Sequence, residues 1–143
     1  AGPGPLESEI REAQKANPCI TFVGFKTGVE LDNLISNTIC TVYPSEWFEN
    51  CPLAIIESLN HGTPVIGSNV GGISELIENG QTGFLFTPGD CGDLSLKIQS
   101  LLNDSNIRNS INERIAKYHS ISSEEYGGKL KCIYENSIQN RVK

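Results

Sequence analysis

Basic residues are few in this sequence, and long apolar runs are missing. The chain has 11 Lys and Arg against 17 Asp and Glu, and its formal net charge at pH 7 is −6. A chain this acidic has no electrostatic footprint for nucleic acid or for an anionic membrane surface. No apolar run of about 18 residues occurs, so no segment is long enough to span a bilayer. We therefore expect neither a nucleic-acid partner nor a membrane span.

Metal-binding and disulfide patterns are also missing. The cysteines are odd in number, and no two of them form a Cys-x-x-Cys pair. There is no Asp-x-Asp motif, and His119 has no acidic or Cys partner at metal-ligand spacing. We therefore expect no metal or other cofactor, and reduced thiols typical of a cytoplasmic protein. The five cysteines are Cys19, Cys40, Cys51, Cys91 and Cys132.

Apolar β-branched runs alternate with helical patterns along the chain. The runs predict strands at 19–23, 39–43, 64–67 and 83–86. Alternating strands and helices predict an α/β fold: a Rossmann-like parallel sheet flanked by helices, with right-handed crossovers. Helices are predicted from Leu6 to about Ala16, from a Thr27–Glu30 capping box to Asn37, from Pro52 to His61, at 74–78, after a cap at Asp90, around Ile111, and after a Ser122–Glu125 capping box.

One stretch, residues 43–69, combines a strand end, a polar loop, a helix and the next strand. Open α/β sheets bind ligands at the carboxyl ends of their strands, where helix N-termini present free N–H groups and a positive dipole. We therefore predict that the N–H groups of Cys51, Leu53 and Ala54 face a phosphate. Pro52 lies among them and has no N–H to offer.

Two acids bracket the start of this helix, with seven residues between them. Glu57 follows the helix start and is placed to accept hydrogen bonds from a ribose diol, whereas Glu49 precedes it and is placed to accept them from sugar hydroxyls. A phosphate between two diols is the outline of a nucleotide-sugar. Periodicity alone is equally consistent with an ordinary solvated Glu57, because this residue falls off the apolar stripe of Ile55, Ile56 and Leu59.

Residues 48–58 and 62–66 resemble the signature of family 4 glycosyltransferases, and the similarity continues at 2–6, 71–75, 79–85 and 88–90. These are retaining enzymes of the GT-B fold, in which two Rossmann-like domains enclose a cleft. The chain resembles their C-terminal, donor-binding domain. The resemblance implies a nucleotide-diphospho-sugar donor and transfer of its sugar to a glycan, glycolipid or other acceptor.

The resemblance also implies roles for individual residues. Glu49 matches the acid that contacts the donor sugar, which we take as the catalytic position, and Glu57 matches the acid that contacts the ribose. Asn50 joins Cys51, Leu53 and Ala54 in the predicted donor site. The loop with Phe25 and Lys26 corresponds to one that approaches the base. There Phe25 would stack and Lys26 would meet a phosphate, and the alternative is a packed aromatic beside a solvated lysine.

The resemblance covers nearly the whole chain but only half of a GT-B enzyme. We expect a first strand, a basic pair and an acceptor domain to precede residue 1 in the full-length protein, and the 143-residue chain to be inactive alone. A sugar or lipid-linked acceptor would be reached through that domain. Peripheral association with the inner membrane face is the alternative to a purely cytoplasmic location.

Three other functions stay open at this point. The first is a non-catalytic module that binds a nucleotide-sugar, the second is a GT-B sugar-nucleotide epimerase, and the third is a flavodoxin-like domain for another ligand. Within the site we predict that Trp47 and Phe48 are packing anchors rather than ligand platforms. We also predict that Gly71 and Gly72 bring backbone close to a ligand.

Overall fold

Three parallel strands form the centre of the molecule. The structure is a computed structural model that describes residues 4–117 and 122–139. The strands are β1 (Thr41–Tyr43), β2 (Val65–Ser68) and β3 (Gly83–Phe86), in the order β1-β2-β3. Thr41 pairs with Val65, and Val65 pairs with Gly83. The predicted α/β fold with a parallel sheet is confirmed, because every strand-to-strand connection crosses over through a helix.

The described residues also form seven helices. Most match the helices expected from the sequence to within a residue or two, because amphipathic periodicity and caps are local signals. None of these helices is long and apolar enough to cross a membrane. They are α1 (Glu7–Ala16), α2 (Val29–Ser36), α3 (Leu53–Asn60), α4 (Ile73–Leu76), α5 (Cys91–Asn103), α6 (Ser105–Ile115) and α7 (Ser123–Gln139).

The core lies between β2 and the helices packed on both sides of the sheet. All four residues of β2 are buried, as expected for a strand with neighbours on both edges and helices on both faces. The apolar stripe of α3 faces this strand, α5 packs on it with buried Leu101, and α6 packs on α5 with buried Ile111. The fully buried apolar residues are Ile55, Leu59, Val65, Ile66, Ile73, Ile77, Phe86, Leu101, Ile111 and Ile115.

Acidic caps fix where the C-terminal helices begin. Asp90 accepts hydrogen bonds from the N–H groups of Gly92 at 2.9 Å and Asp93 at 3.0 Å, which confirms the predicted cap. Asp104 caps α6 in the same way, and this cap was not predicted from the sequence. The Ser122–Glu125 capping box is present in both directions, at 3.0 and 3.2 Å.

The predicted strand at 19–23 is wrong. These residues are extended but join no ladder in the described part of the chain. The N–H of Phe22 donates instead to the side chain of Gln14 at 2.8 Å, and the guanidinium of Arg11 lies 4.6 Å from the centre of its ring. A β-branched run becomes a strand only where a neighbouring strand accepts its hydrogen bonds. Here the run lies against α1.

The predicted capping box at Thr27 is also wrong. The cap of α2 is Gly28, with φ of 54°, and it makes no side-chain cap bond. Glu30, the expected partner of Thr27, pairs with Lys26 at 3.1 Å instead. The strand predicted at 39–43 begins only at Thr41, whose N–H reaches the carbonyl of Pro64 at 2.9 Å. His119 and residues 2 and 3 of the predicted glycine-rich turn lie outside the described residues.

Candidate functional site

The loop between β1 and α3, residues 44–52, carries Glu49 and is called the Glu49 loop below. Glu49 is half-buried, and its N–H donates to the carbonyl of Trp47 at 2.9 Å. The hydroxyl of Ser45 lies 3.4 Å from one oxygen of the Glu49 carboxylate and 3.3 Å from the N–H of Trp47. The carboxylate is therefore held by its own loop rather than extending freely into solvent.

Tyr43 is a residue of this site that the sequence analysis missed. It ends β1, and its pKa is raised by burial, then by the negative charge of Glu49, and then by a hydrogen bond to Glu49. The phenol therefore stays protonated at neutral pH and is a donor beside the carboxylate. The only sequence signal was its place at the carboxyl end of a strand that leads into an acidic loop.

Gly71 and Gly72 hold the Glu49 loop from the side of β2. The N–H of Gly72 donates to the carbonyl of Glu49 at 2.7 Å. A Cβ on Gly72 would lie 1.9 Å from the carbonyl oxygen of Asn50, and a Cβ on Gly71 would lie 2.8 Å from that of Glu49. Gly71 also has φ of 53°, which side chains disfavour. The sequence analysis predicted the close approach to be to a ligand, whereas the contact in the structure is with the Glu49 loop.

The first turn of α3 presents unpaired N–H groups, as predicted. Its N-cap is Pro52, and the N–H of Ile55 already donates to the carbonyl of Pro52 at 3.1 Å. Within the described residues, the N–H groups of Cys51, Leu53 and Ala54 donate to no protein acceptor. Such groups at a helix N-terminus are suited to an anion.

Glu57 is exposed, on the face of α3 opposite to the buried stripe. It borders a cavity of about 200 Å³ between α2, β1 and α3, which Tyr43 and Ala54 also line. The two acids are thus linked through Tyr43, which contacts Glu49 and shares this cavity with Glu57. The rest of the lining is mostly apolar, so the unpaired N–H groups of α3, and not this cavity, match the charge of a diphosphate.

The residues predicted to approach the base are placed differently from each other. Lys26 is half-buried and paired with Glu30 at 3.1 Å, so its charge is already matched within the protein. Phe25 is 71% exposed, which excludes the alternative of a packed aromatic. Phe25 is therefore free to meet a ring, while Lys26 would first have to leave Glu30.

Trp47 and Phe48 are not packing anchors, so that prediction is wrong. Their side chains are 81% and 87% exposed. The Glu49 loop is fixed through its backbone by Gly72 and through the Ser45 hydroxyl, so it needs no aromatic side chain in the core. The two rings project from the protein beside Glu49 instead.

The remaining candidate groups have structural roles or no partners. The five cysteines are free, and burial raises the pKa of the Cys40 thiol. His61 joins α3 to α2: its Nε2 lies 3.2 Å from Asp32 and its Nδ1 lies 3.3 Å from the Ser36 hydroxyl. Residues 4–117 and 122–139 contain no group of three or more His, Cys, Asp or Glu that could hold a metal. Glu75 is exposed on α4.

The chain is an α/β protein with a parallel sheet. At the carboxyl edge of this sheet lie an acid-bearing loop and a helix N-terminus with unpaired N–H groups. Solved structures of the same architecture are GT-B glycosyltransferases. The sucrose-phosphate synthase of Thermosynechococcus elongatus superposes with a TM-score of 0.74 at 25% identity, covering 98% of this chain and 38% of that one. Anabaena HepE in complex with UDP-glucose superposes with a TM-score of 0.64 at 25% identity, covering 76% and 31%.

The sequence comparisons give the family. Residues 1–118 match the family described as glycosyl transferases group 1, and the chain belongs to it. Over 113 residues it is 34% identical to the sulfoquinovosyl transferase of Arabidopsis thaliana, which covers 77% of this chain. The chain spans 22% of the length of that relative.

Proposed function

We propose that residues 1–143 form the C-terminal, donor-binding domain of a family 4, retaining glycosyltransferase. The full-length protein would carry a first strand and an acceptor domain upstream. In support, the chain spans only 22% to 38% of the relatives described above. Trp47, Phe48 and Leu53 are also exposed beside the site, where a facing domain would cover them.

The donor in this proposal is a nucleotide-diphospho-sugar, and a UDP-sugar is the first candidate. Anabaena HepE, which shares the fold, binds UDP-glucose. In this chain the N–H groups of Cys51, Leu53 and Ala54 would meet the diphosphate. Glu57 would accept hydrogen bonds from the ribose diol, and Asn50 and Phe25 would lie at the edges of the bound donor.

The chemistry assigned to this half is electrostatic. As the bond from sugar to diphosphate breaks, negative charge grows on the leaving group and positive charge grows on the sugar. The N–H groups of α3 would stabilise the first, and Glu49 would stabilise the second. Neutral Tyr43 lies beside Glu49 without adding charge. We expect no divalent metal, because the sequence has no Asp-x-Asp motif.

The observation that carries this proposal is the placement of Glu49 and of the unpaired N–H groups of α3 at one edge of the sheet. Titration calorimetry of the chain with UDP-glucose, and with GDP- and ADP-sugars, tests it. We expect binding of a nucleotide-sugar, and we expect Glu57→Gln to weaken it about 10- to 150-fold, the cost of a lost charged hydrogen bond. Glu113→Gln, an exposed acid on α6, is the matched control and should leave the affinity unchanged.

Two results would contradict the proposal in different ways. If no nucleotide-sugar binds to the folded chain, the assigned function is wrong. If one binds but Glu57→Gln leaves the affinity unchanged, the chain is a nucleotide-sugar-binding domain with the wrong site assigned.

A further inference from the structure

Ser68 is a fully buried polar residue at the carboxyl end of β2. Its exposed fraction is 0%, yet its side chain carries a hydroxyl in an otherwise apolar strand. The hydroxyl donates to the carbonyl of Ser45, and it lies 3.5 Å from the carbonyl of Tyr43. Ser68 therefore reaches from the central strand to the first residues of the Glu49 loop.

Within the loop, Ser45 connects this contact to the Glu49 carboxylate. Ser45, whose carbonyl is held by Ser68, uses its own hydroxyl 3.4 Å from the Glu49 carboxylate and 3.3 Å from the N–H of Trp47. The chain of contacts thus runs from a buried strand through one residue to the acid assigned to the donor sugar.

A second contact from the same segment holds the loop at Glu49. Four residues after Ser68, the N–H of Gly72 donates to the carbonyl of Glu49 at 2.7 Å. Loss of a hydrogen bond is costly, most of all for the fully buried Ser68 hydroxyl, so both contacts resist displacement of the loop. The Glu49 loop is therefore held at Ser45 and at Glu49 by the segment that follows β2.

We propose that Ser68 is a positioning residue for the Glu49 loop: its hydroxyl fixes Ser45, and Ser45 sets the place of the Glu49 carboxylate at the donor sugar. The last step rests on the proposed function. Ser68 does not itself touch the donor. It acts on the sugar end of the donor, so the nucleotide end, held by α3 and Glu57, is independent of it.

Thr63, two residues before β2 begins, provides a matched control. It is 2% exposed, and its hydroxyl donates to the carbonyl of Ile35 at 2.9 Å, a residue of α2 outside the Glu49 loop. Ser68→Ala and Thr63→Val each delete one buried hydroxyl that meets a backbone carbonyl. Ser68→Cys keeps the volume with a weaker donor, and it replaces Ser68→Ala in every comparison if the alanine variant does not fold.

The single tryptophan of the chain, Trp47, reports on the loop directly. We expect Ser68→Ala to lower the fluorescence anisotropy of Trp47, because a loop released at Ser45 moves more on the nanosecond timescale. Thr63→Val should leave the anisotropy at the wild-type value. Equal anisotropy in wild type and Ser68→Ala, or an equal fall in both variants, would overturn the positioning role whether or not any nucleotide binds.

The affinities for UDP and UDP-glucose test the link to the sugar. We expect Ser68→Ala to weaken UDP-glucose about tenfold and to change UDP by no more than about twofold, since only the sugar contact is displaced. Thr63→Val should weaken neither ligand. Equal weakening of both ligands by Ser68→Ala would show a general structural effect and overturn the link to Glu49. If wild type binds no nucleotide, the proposed function fails, and the anisotropy alone decides the role of Ser68.

Discussion

Glu49 and Glu57 are both acids at the start of α3, but their surroundings differ. Glu49 is half-buried and contacts Tyr43 and Ser45, whereas Glu57 is exposed and borders an open cavity. A fixed carboxylate is suited to charge that develops during reaction, because it needs no rearrangement at that moment. A solvated carboxylate is suited to a contact that is equal in the ground state and the transition state.

We predict that Glu49→Gln in the full-length enzyme acts mostly on kcat. The glutamine keeps the volume and removes the negative charge opposite the developing positive charge, an interaction made mainly in the transition state. We expect kcat to fall about 10- to 100-fold, with a smaller change in the donor KM, because one electrostatic contact in the transition state is lost. Steady-state kinetics with varied donor measures both constants.

The control for this variant is its thermal stability. Glu49 lies in a loop outside the core, so the melting temperature of Glu49→Gln should stay close to that of wild type. A donor KM that rises while kcat is unchanged would assign Glu49 to ground-state binding and contradict the catalytic role.

At the scale of elements, α5 begins at a cluster of hydrogen bonds that lowers the pKa of Asp93. The Asp93 carboxylate accepts the N–H of Thr87 at 2.8 Å and its hydroxyl at 3.1 Å, and it lies 3.6 Å from Lys97. These donors, the Thr87 N–H first, lower the pKa of Asp93 despite partial burial. Asp93 thereby ties the end of β3 to the first turn of α5.

We predict a pH-dependent effect of Asp93→Asn on stability. A carboxyl whose pKa is lowered by folding stabilises the fold above its unfolded pKa, and this contribution is lost as pH falls through the folded pKa. Wild type should therefore melt above the variant at neutral pH, and the gap should close below about pH 4. Thermal melts of both proteins from neutral to acidic pH measure the gap, and a gap that stays constant over this range would contradict the assignment.

The elements that sequence analysis found correctly are those specified by neighbouring residues. Asp90 and the Ser122–Glu125 box act within three residues of themselves, so their caps were predictable. The predicted strand at 19–23 depended on a partner strand, which local sequence does not supply. No capping box forms at Thr27, since Gly28 caps α2 and Glu30 pairs with Lys26.

The same distinction applies to the site. The unpaired N–H groups of α3 follow from the position of Pro52 and from helix geometry, and they were predicted. The contacts of Gly72 and Ser68 with the Glu49 loop join positions 23 residues apart in the chain, and no pattern in the sequence indicates them. The exposure of Trp47 and Phe48 was not predicted for the same reason. Contacts distant in the sequence hold the backbone of the loop, so the two rings are not needed as anchors.

At the scale of the whole molecule, several large apolar side chains are exposed on the surface beside the site. Trp47, Phe48 and Phe25 are each more than two thirds exposed, and Leu53 lies next to the N–H groups of α3. A site that excludes water strengthens every charge interaction within it. In its present form the site is open, which agrees with the proposal that a second domain completes it.

We predict that the 143-residue chain binds a nucleotide-sugar but transfers no sugar, whereas the protein with its acceptor domain does both. The chain has the residues assigned to the diphosphate, the ribose and the sugar, and nothing assigned to an acceptor. Product analysis with UDP-glucose and a panel of glycan and lipid-linked acceptors measures transfer by each protein, with and without EDTA. Glu49→Gln in the two-domain protein is the control for background hydrolysis. Sugar transfer by the chain alone would contradict the division of labour, and a two-domain protein that binds the donor but transfers nothing would identify a non-catalytic binding module.

Loss of turnover in EDTA, restored by Mn²⁺ or Mg²⁺, would contradict the metal-free mechanism, in which the N–H groups of α3 take the place of a cation at the leaving group.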